Sequence, residues 1–239
     1  MATILSADTQ ALGQALLSES SIQMHNLGAK CVADDGRVFR YAKAGETLVP
    51  GTLLQAPVEK TNHQDVVPAI AAIGATQITV TLGATAATAN YYAGGWAIIT
   101  VTPGQGYQYK IKSHPAADSA ATLVLTLEDP LVIALTASSN VDLVPNPFNG
   151  VIINPSTATS CPVGVAVYPI TSAYYGWVQT GGVATLLAAD GAVVVGTSVV
   201  ASNATAGAVE AATGAQAVVG VAVTGIAQTE YGAIKLSIE

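Results

Sequence analysis

The side chains able to do chemistry are few and dispersed along the chain. Glu128 and Asp129 form an adjacent carboxylate pair, the residue types a general acid and base would use. On an extended strand, however, neighbouring side chains point to opposite faces, and Pro130 follows at once, so the pair reads as the end of a strand. Cys31 and Cys161 have no Cys-x-x-Cys partner and are expected to be small buried apolar residues in a reducing compartment. His25, His63 and His114 are equally scattered, none at helical spacing from another ligand type, and are expected to be solvated or locally hydrogen-bonded. Gly104-Gln105-Gly106 lacks the third glycine of a phosphate loop and opens a strand, so it reads as a turn. Nucleophile-elbow, HExxH and Walker A patterns do not occur. Asn203-Ala204-Thr205 fits a glycosylation sequon, which matters only on a eukaryotic secretory route. The expectation is a non-enzymatic protein with no catalytic residues, no metal and no cofactor.

Aromatic side chains offer a different chemistry, that of contact. Tyr91-Tyr92-Ala93-Gly94-Gly95-Trp96 and Tyr174-Tyr175-Gly176-Trp177 are two similar clusters, and Phe39 and Tyr41 add a third site. Exposed Trp and Tyr faces would make a weak glycan platform. The favoured alternative is that each Trp is the large core or interface residue of its own β unit, because aromatics supply much of the burial in small sheets. Phe39, Tyr41, Tyr91, Tyr92, Trp96, Tyr174, Tyr175 and Trp177 are therefore the interface candidates.

The elements that must position these residues read as strands. Asp35-Gly36 lies between two extended runs, Lys30 to Ala33 and Arg37 to Tyr41, and predicts a hairpin. Gln77 to Leu82, Trp96 to Val101 and Leu123 to Leu127 are rich in β-branched residues, and the first alternates with period two. Tyr107, Tyr109 and Ile111 are expected on one face of a strand, with Gln108, Lys110 and Lys112 on the other. Short strands are expected over 163–169, 174–180, 183–188, 192–200, 216–223 and 232–238. The fold class predicted is all-β, with two or more small barrel or sandwich units. An N-terminal arm or short helix over 1–21, capped by Ser6 or Asp8 with Leu12, Leu16 and Leu17 on one face, precedes a first β-rich region over 22–143. A Pro-rich connector over 144–162 leads to a C-terminal barrel-like domain over 163–239; its four prolines, Pro145, Pro147, Pro155 and Pro162, argue against a central strand there.

Composition narrows the function classes. Charged residues are 10% of the chain and apolar residues 51%, against about 25% charged in an ordinary soluble domain. The sharper reading is that much surface is buried between subunits. The net charge of −7 with 8 Lys and Arg argues against nucleic acid, whose binding rests on cations neutralising phosphate. The most apolar run, Val183 to Ala201, is broken by Thr185, Asp190, Gly191, Gly196, Thr197 and Ser198, so no spanning helix of about 20 apolar residues is predicted. The first 21 residues contain no Lys or Arg, so a secretory signal is not expected and synthesis in the cytoplasm is.

One pattern reads as a repeat. Tyr175 to Leu187 and Asp190 to Ser202 both read as strand, Gly turn and apolar run, and an abridged form spans Val38 to Ala56 with Gly51-Thr52-Leu53-Leu54 matching Gly196-Thr197-Ser198-Val199. Gly176 to Gly182, Asp190-Gly191, Gly196-Thr197 and Ala217 to Ala222 resemble the β-rich cement or decoration proteins of tailed-bacteriophage capsids. The likeness is best over 163–239 and weaker over 28–60, and 65–150 has no counterpart in the short members of that family. The resemblance implies a virion protein on the outside of the capsid that locks neighbouring major capsid protein subunits together. It also implies self-association, commonly as a trimer. A tail, fibre or head-fibre component and a carbohydrate-binding adhesion module are the alternatives.

Overall fold

The computed structural model describes residues 5–6, 13–189, 191–214 and 216–239, the first two as backbone. Among the described residues the regular elements are strands, apart from one 3-10 turn at Thr61–His63. In chain order they are β1 (Leu5–Ser6), β2 (Glu19–Ser20), β3 (Lys30–Val32), β4 (Val38–Ala44), β5 (Leu53–Gln55), β6 (Gln77–Thr81), β7 (Trp96–Val101), β8 (Gln108–Ser113), β9 (Thr122–Leu127), β10 (Asn140–Val144), β11 (Asn149–Ile153), β12 (Pro162–Ala166), β13 (Tyr175–Ala188), β14 (Ser198–Ala201), β15 (Val209–Ala211), β16 (Val218–Ala222) and β17 (Glu230–Ser237). The fold is all-β in several barrels, as expected. The Asp35-Gly36 hairpin forms as predicted, with Cys31 opposite Phe39.

The grouping of these strands departs from the expected domains. One unit comprises 1–58 together with 147–239, and the other is 59–146, inserted between β5 and β11. Residues 144–162 are therefore not a connector. β11 runs free of proline between Pro147 and Pro155 and pairs with both β4 and β5, while Pro162 stands at the first position of β12, where a strand tolerates the missing N–H. Within the described residues the expected N-terminal helix does not form. Ser6 lies in β1, which pairs parallel with β3, and Leu16 and Leu17 sit in a turn; Asp8 and Leu12 lie outside the described residues.

Pairing closes the first unit into two five-stranded barrels that share β13. In the first, β4 pairs with β11, β11 with β5, β5 with β12, β12 with β13, and β13 with β4. In the second, β13 pairs with β15, β15 with β14, β14 with β16, β16 with β17, and β17 with β13. Each ring has the same order of parallel and antiparallel contacts. The 14-residue β13 serves both because its first half faces β4 and its second half faces β17, with a bulge between Gln179 and Gly181 at the changeover.

The second barrel repeats the first in sequence as well as in pairing. Val163-Gly164-Val165-Ala166-Val167 and Val219-Gly220-Val221-Ala222-Val223 are identical. Val165 pairs with Gln179 and Ala166 with Val178; their twins Val221 and Ala222 pair with Lys235 and Ile234. Ile170, Tyr175 and Gly176 recur as Ile226, Tyr231 and Gly232. The repeat expected between 175–187 and 190–202 is therefore out of register, since 175–187 is one continuous strand. The match of Gly51-Thr52 to Gly196-Thr197 is structural.

That match marks a recurring clasp. Leu48 and Ile170 exchange backbone hydrogen bonds, as do Val193 and Ile226 in the second barrel, and Ala71 with Leu135 and Ala87 with Ala117 in the inserted unit. Each of the four clasp residues of the barrel pair heads a turn closed by the N–H four residues on: Thr52 to Val49, Tyr174 to Thr171, Thr197 to Val194 and Glu230 to Ala227. The third residue after each, Gly51, Ala173, Gly196 or Thr229, has positive φ, the geometry of a type II turn, which glycine adopts without strain. The inserted unit closes similarly. β10, β7, β8, β9 and β6 pair in series, and bridges from Val66 to Val141 and from Pro68 to Val80 complete the ring. Its interior is built from Ile78, Val80, Ile99, Ile111, Leu123, Leu125 and Leu143. Tyr109 and Ile111 share one face, as their spacing predicted, and that face is buried, whereas Tyr107 is exposed and stacks on Tyr109.

Candidate functional site

The first barrel collects Phe39, Tyr41 and Trp177 on the outer face of β4 and β13, where Cys31 and Ala33 pack against them with Leu16 and Leu27. Trp177 is 1% exposed, and Phe39 and Tyr41 are fully covered. The covering segment is the chain's own stretch from Gln14 to Ala29. Gln14 is the polar hub of the cover: the Tyr41 hydroxyl donates to its Oε1 at 2.7 Å, the Trp177 indole N–H to its carbonyl at 3.3 Å, and its own amide donates to the Tyr175 carbonyl at 3.0 Å. The backbone N–H of Met24 donates to the Tyr41 hydroxyl. Burial pushes the Tyr41 phenol and the Cys31 thiol up from their ordinary values. Tyr175 stacks half-buried on Tyr41 at 6.2 Å, and Tyr174 is exposed.

These placements correct Phe39, Tyr41, Tyr92 and Trp177 as interface candidates. Phe39, Tyr41 and Trp177 form one internal cluster, so none of them presents a contact surface. Tyr92 is likewise buried, in the inserted unit, with Tyr91 half-buried edge-on against it at 4.9 Å. Trp96 is half-buried on β7. Of the eight aromatic positions, Phe39, Tyr41, Tyr92 and Trp177 mark where the barrels keep their bulk.

Two histidines that are distant in sequence converge on Tyr92. The His63 ring takes a hydrogen bond with the Tyr92 hydroxyl through Nδ1 and one with the Thr85 carbonyl through Nε2 at 2.7 Å. The Tyr92 backbone N–H donates to His114 Nε2 at 2.9 Å, and His114 Nδ1 lies 2.7 Å from the Pro115 carbonyl. Burial pushes both imidazoles below the ordinary histidine value, the Lys60 charge adding to the effect and the backbone hydrogen bonds opposing it. Nothing in the spacing of His63 and His114 announced this meeting.

The remaining candidates separate. Glu128 pairs with Lys110 at 3.5 Å on the surface, an exposed ion pair rather than an acid and base. Cys161, expected buried, is exposed, while Cys31 is buried as expected. Among the described residues no three His, Cys, Asp or Glu side chains converge as metal ligands. Glu239 binds Lys30 at 2.6 Å, Arg40 at 2.5 Å and the Thr180 hydroxyl at 2.8 Å. Burial raises its carboxyl, but these hydrogen bonds outweigh it and hold the group down at about 2. The contribution is therefore complete above the ordinary glutamate range and lost as pH falls towards that value. Glu239→Gln should lower the stability of the barrel pair by about 1 kcal/mol at low salt, with the difference shrinking in a salt series of thermal melts.

What residue types alone did not reveal is an open surface on the second barrel. Val183, Tyr231, Lys235, Val221 and Val223 are exposed across β13, β17 and the end of β16. Twin positions behave differently in the two barrels. Val165 is 0% exposed and packs with Leu53 into the second barrel's cluster, whereas its twin Val221 is 36% exposed and Val223 46%. Next to this face a cleft of about 430 Å³ is lined by Leu17, Arg37, Pro50, Gln179, Val183 and Tyr231, among others. The signal that could have found the face is the repeated Gly-Val-Ala-Val.

Comparison with known protein families, with curated proteins and with solved structures finds no match for this chain.

Proposed function

We propose that this chain is a structural protein of a tailed-phage virion that binds the outer capsid surface and cements neighbouring major capsid protein subunits, itself self-associating. The observation that carries the reading is the uncovered twin surface. The chain uses Val165 to bury the first barrel against the second, and carries its twin Val221, with Val223, facing solvent. A sheet face that exposes Val183, Val221, Val223 and Tyr231 around Lys235 is a concentration of apolar surface of the kind that marks an interaction site. Support also comes from the segments that carry the resemblance. They build small closed barrels held by backbone clasps, a rigid scaffold for many modest contacts.

The test is the copy number of the protein against the major shell protein in purified particles, together with rebinding of the purified chain to stripped shells. A fixed simple ratio over the lattice is expected, and Val221→Asp with Val223→Asp should weaken rebinding at least about tenfold, the cost of burying charge in an apolar contact, without shifting the thermal midpoint. A few copies per particle would instead indicate a tail or fibre part, and unaltered rebinding of the double variant would remove this face from the contact.

A further inference from the structure

The inserted unit contains a buried titratable cluster that the structural role does not use. His63 is 0% exposed and His114 4%, and both rings have each nitrogen committed. A neutral imidazole offers one donor and one acceptor. At His114 the incoming Tyr92 N–H makes Nε2 the acceptor, so Nδ1 carries the proton to the Pro115 carbonyl. At His63 the Thr85 carbonyl takes the Nε2 proton, leaving Nδ1 to accept from the Tyr92 hydroxyl. The three rings lie 5.6 and 5.7 Å apart through Tyr92.

The cluster ties three stretches of chain together. Asn90 Oδ1 accepts from the His114 backbone N–H at 3.0 Å, and Asn62 donates to the Thr85 hydroxyl at 2.9 Å. Between these links the Ala87 to Ala117 clasp exchanges its two backbone hydrogen bonds. Lys60 is the charged group acting on both rings; its ammonium donates to the Ala86 carbonyl at 3.0 Å and lies over the Tyr91 ring at 4.2 Å. Tyr91 and Tyr92 are the other titratable groups against the cluster, and burial pushes both phenols up, so they stay neutral under acid conditions.

We propose that the His63–Tyr92–His114 cluster is an acid-operated latch: protonating either ring releases the Lys60–Gln64 turn and the Ala87–Tyr92 clasp from the inserted barrel, while the duplicated barrel pair keeps its fold. A second proton on His114 would set N–H against the Tyr92 N–H, two donors face to face with no acceptor. At His63 the Tyr92 hydroxyl can turn to accept, so burial beside Lys60 is the main penalty there. The closed form resists protons that the open form takes up below about pH 6.5. Opening is therefore favoured as pH falls, by up to about tenfold per ring for each pH unit until the closed-form values are reached.

The test is hydrogen exchange of the full chain at about pH 7.5 and about pH 5, corrected for intrinsic exchange rates. Residues 60–64, 85–92 and 113–117 should lose protection on acidification, while β13 and β17 keep theirs. Equal protection of those three stretches at both pH values would overturn the latch, as would simultaneous opening of the barrel pair. His114→Gln keeps an acceptor for Tyr92 and a donor for Pro115 but cannot titrate, so its acid response should flatten by about tenfold per pH unit. Should that variant fail to fold, ring nitrogen NMR of the unaltered chain decides. A His114 Nδ1–H tautomer titrating below the ordinary value supports the latch, and titration at or above it sinks the proposal.

Discussion

Trp177→Ala is expected to destabilise the barrel pair by about 3–5 kcal/mol, the range for truncating a fully buried large aromatic. The indole fills the space between Tyr41 at 5.1 Å and the His25 ring at 5.2 Å, under a cover that Gln14 fastens through three hydrogen bonds. Removing it leaves a cavity that the rigid β4 and β13 backbones cannot close, and it deprives Gln14 of one donor. Urea denaturation followed by far-ultraviolet circular dichroism would measure the loss. The outcome separates two roles for this residue. A core tryptophan predicts a large fall in stability with association following only as a consequence. A contact tryptophan predicts an unchanged midpoint and selective loss of association, and that result would contradict the burial of the cluster. Val221→Ala, at an exposed position, should change stability by less than about 0.5 kcal/mol.

Gly176→Ala and Gly232→Ala should each cost about 1–3 kcal/mol, the range for forcing extra volume into a packed site, and should do so through the same neighbour. A methyl group on Gly176 would sit 2.5 Å from Ile170 Cδ1, and one on Gly232 would sit 2.3 Å from Ile226 Cγ1. These isoleucines are the twin clasp residues, each buried and held by reciprocal backbone bonds, so neither can retreat with its backbone. Double-mutant cycles test the account. Ile170→Val removes the nearest atom and should recover part of the loss at Gly176. Ile226→Val retains Cγ1 and should not recover Gly232, whereas Ile226→Ala should. Additive losses in both cycles would show that the clasps do not set this close approach.

The two predictions rest on different kinds of legibility. Period-two alternation in Gln77 to Leu82, the β-branched runs and the Asp35-Gly36 turn identified strands and a hairpin because those signals are local and come from backbone sterics and side-chain alternation. The aromatic doublets also pointed correctly to sites of heavy packing. They could not say whether packing was within the chain or between chains. Trp177 and Ala233 occupy twin positions, and only the first is covered, because only the first barrel is preceded by chain free to fold across it. In the second barrel the preceding residues are already β13 itself.

The amino-acid sequence by itself determined the all-β class, the Asp35-Gly36 turn and the alternation of β6, since these follow from propensities acting over a few residues. The tertiary structure decided which strands close which ring. It grouped β4 and β5 with residues beyond 147 and set 59–146 apart as an insertion, and it brought His63 and His114 to either side of Tyr92. It also gave Val165 and Val221 opposite exposures in identical local sequence. Burial belongs to the neighbours a residue acquires, and those neighbours come from pairings across long stretches of chain, which a strand's own pattern of faces does not name.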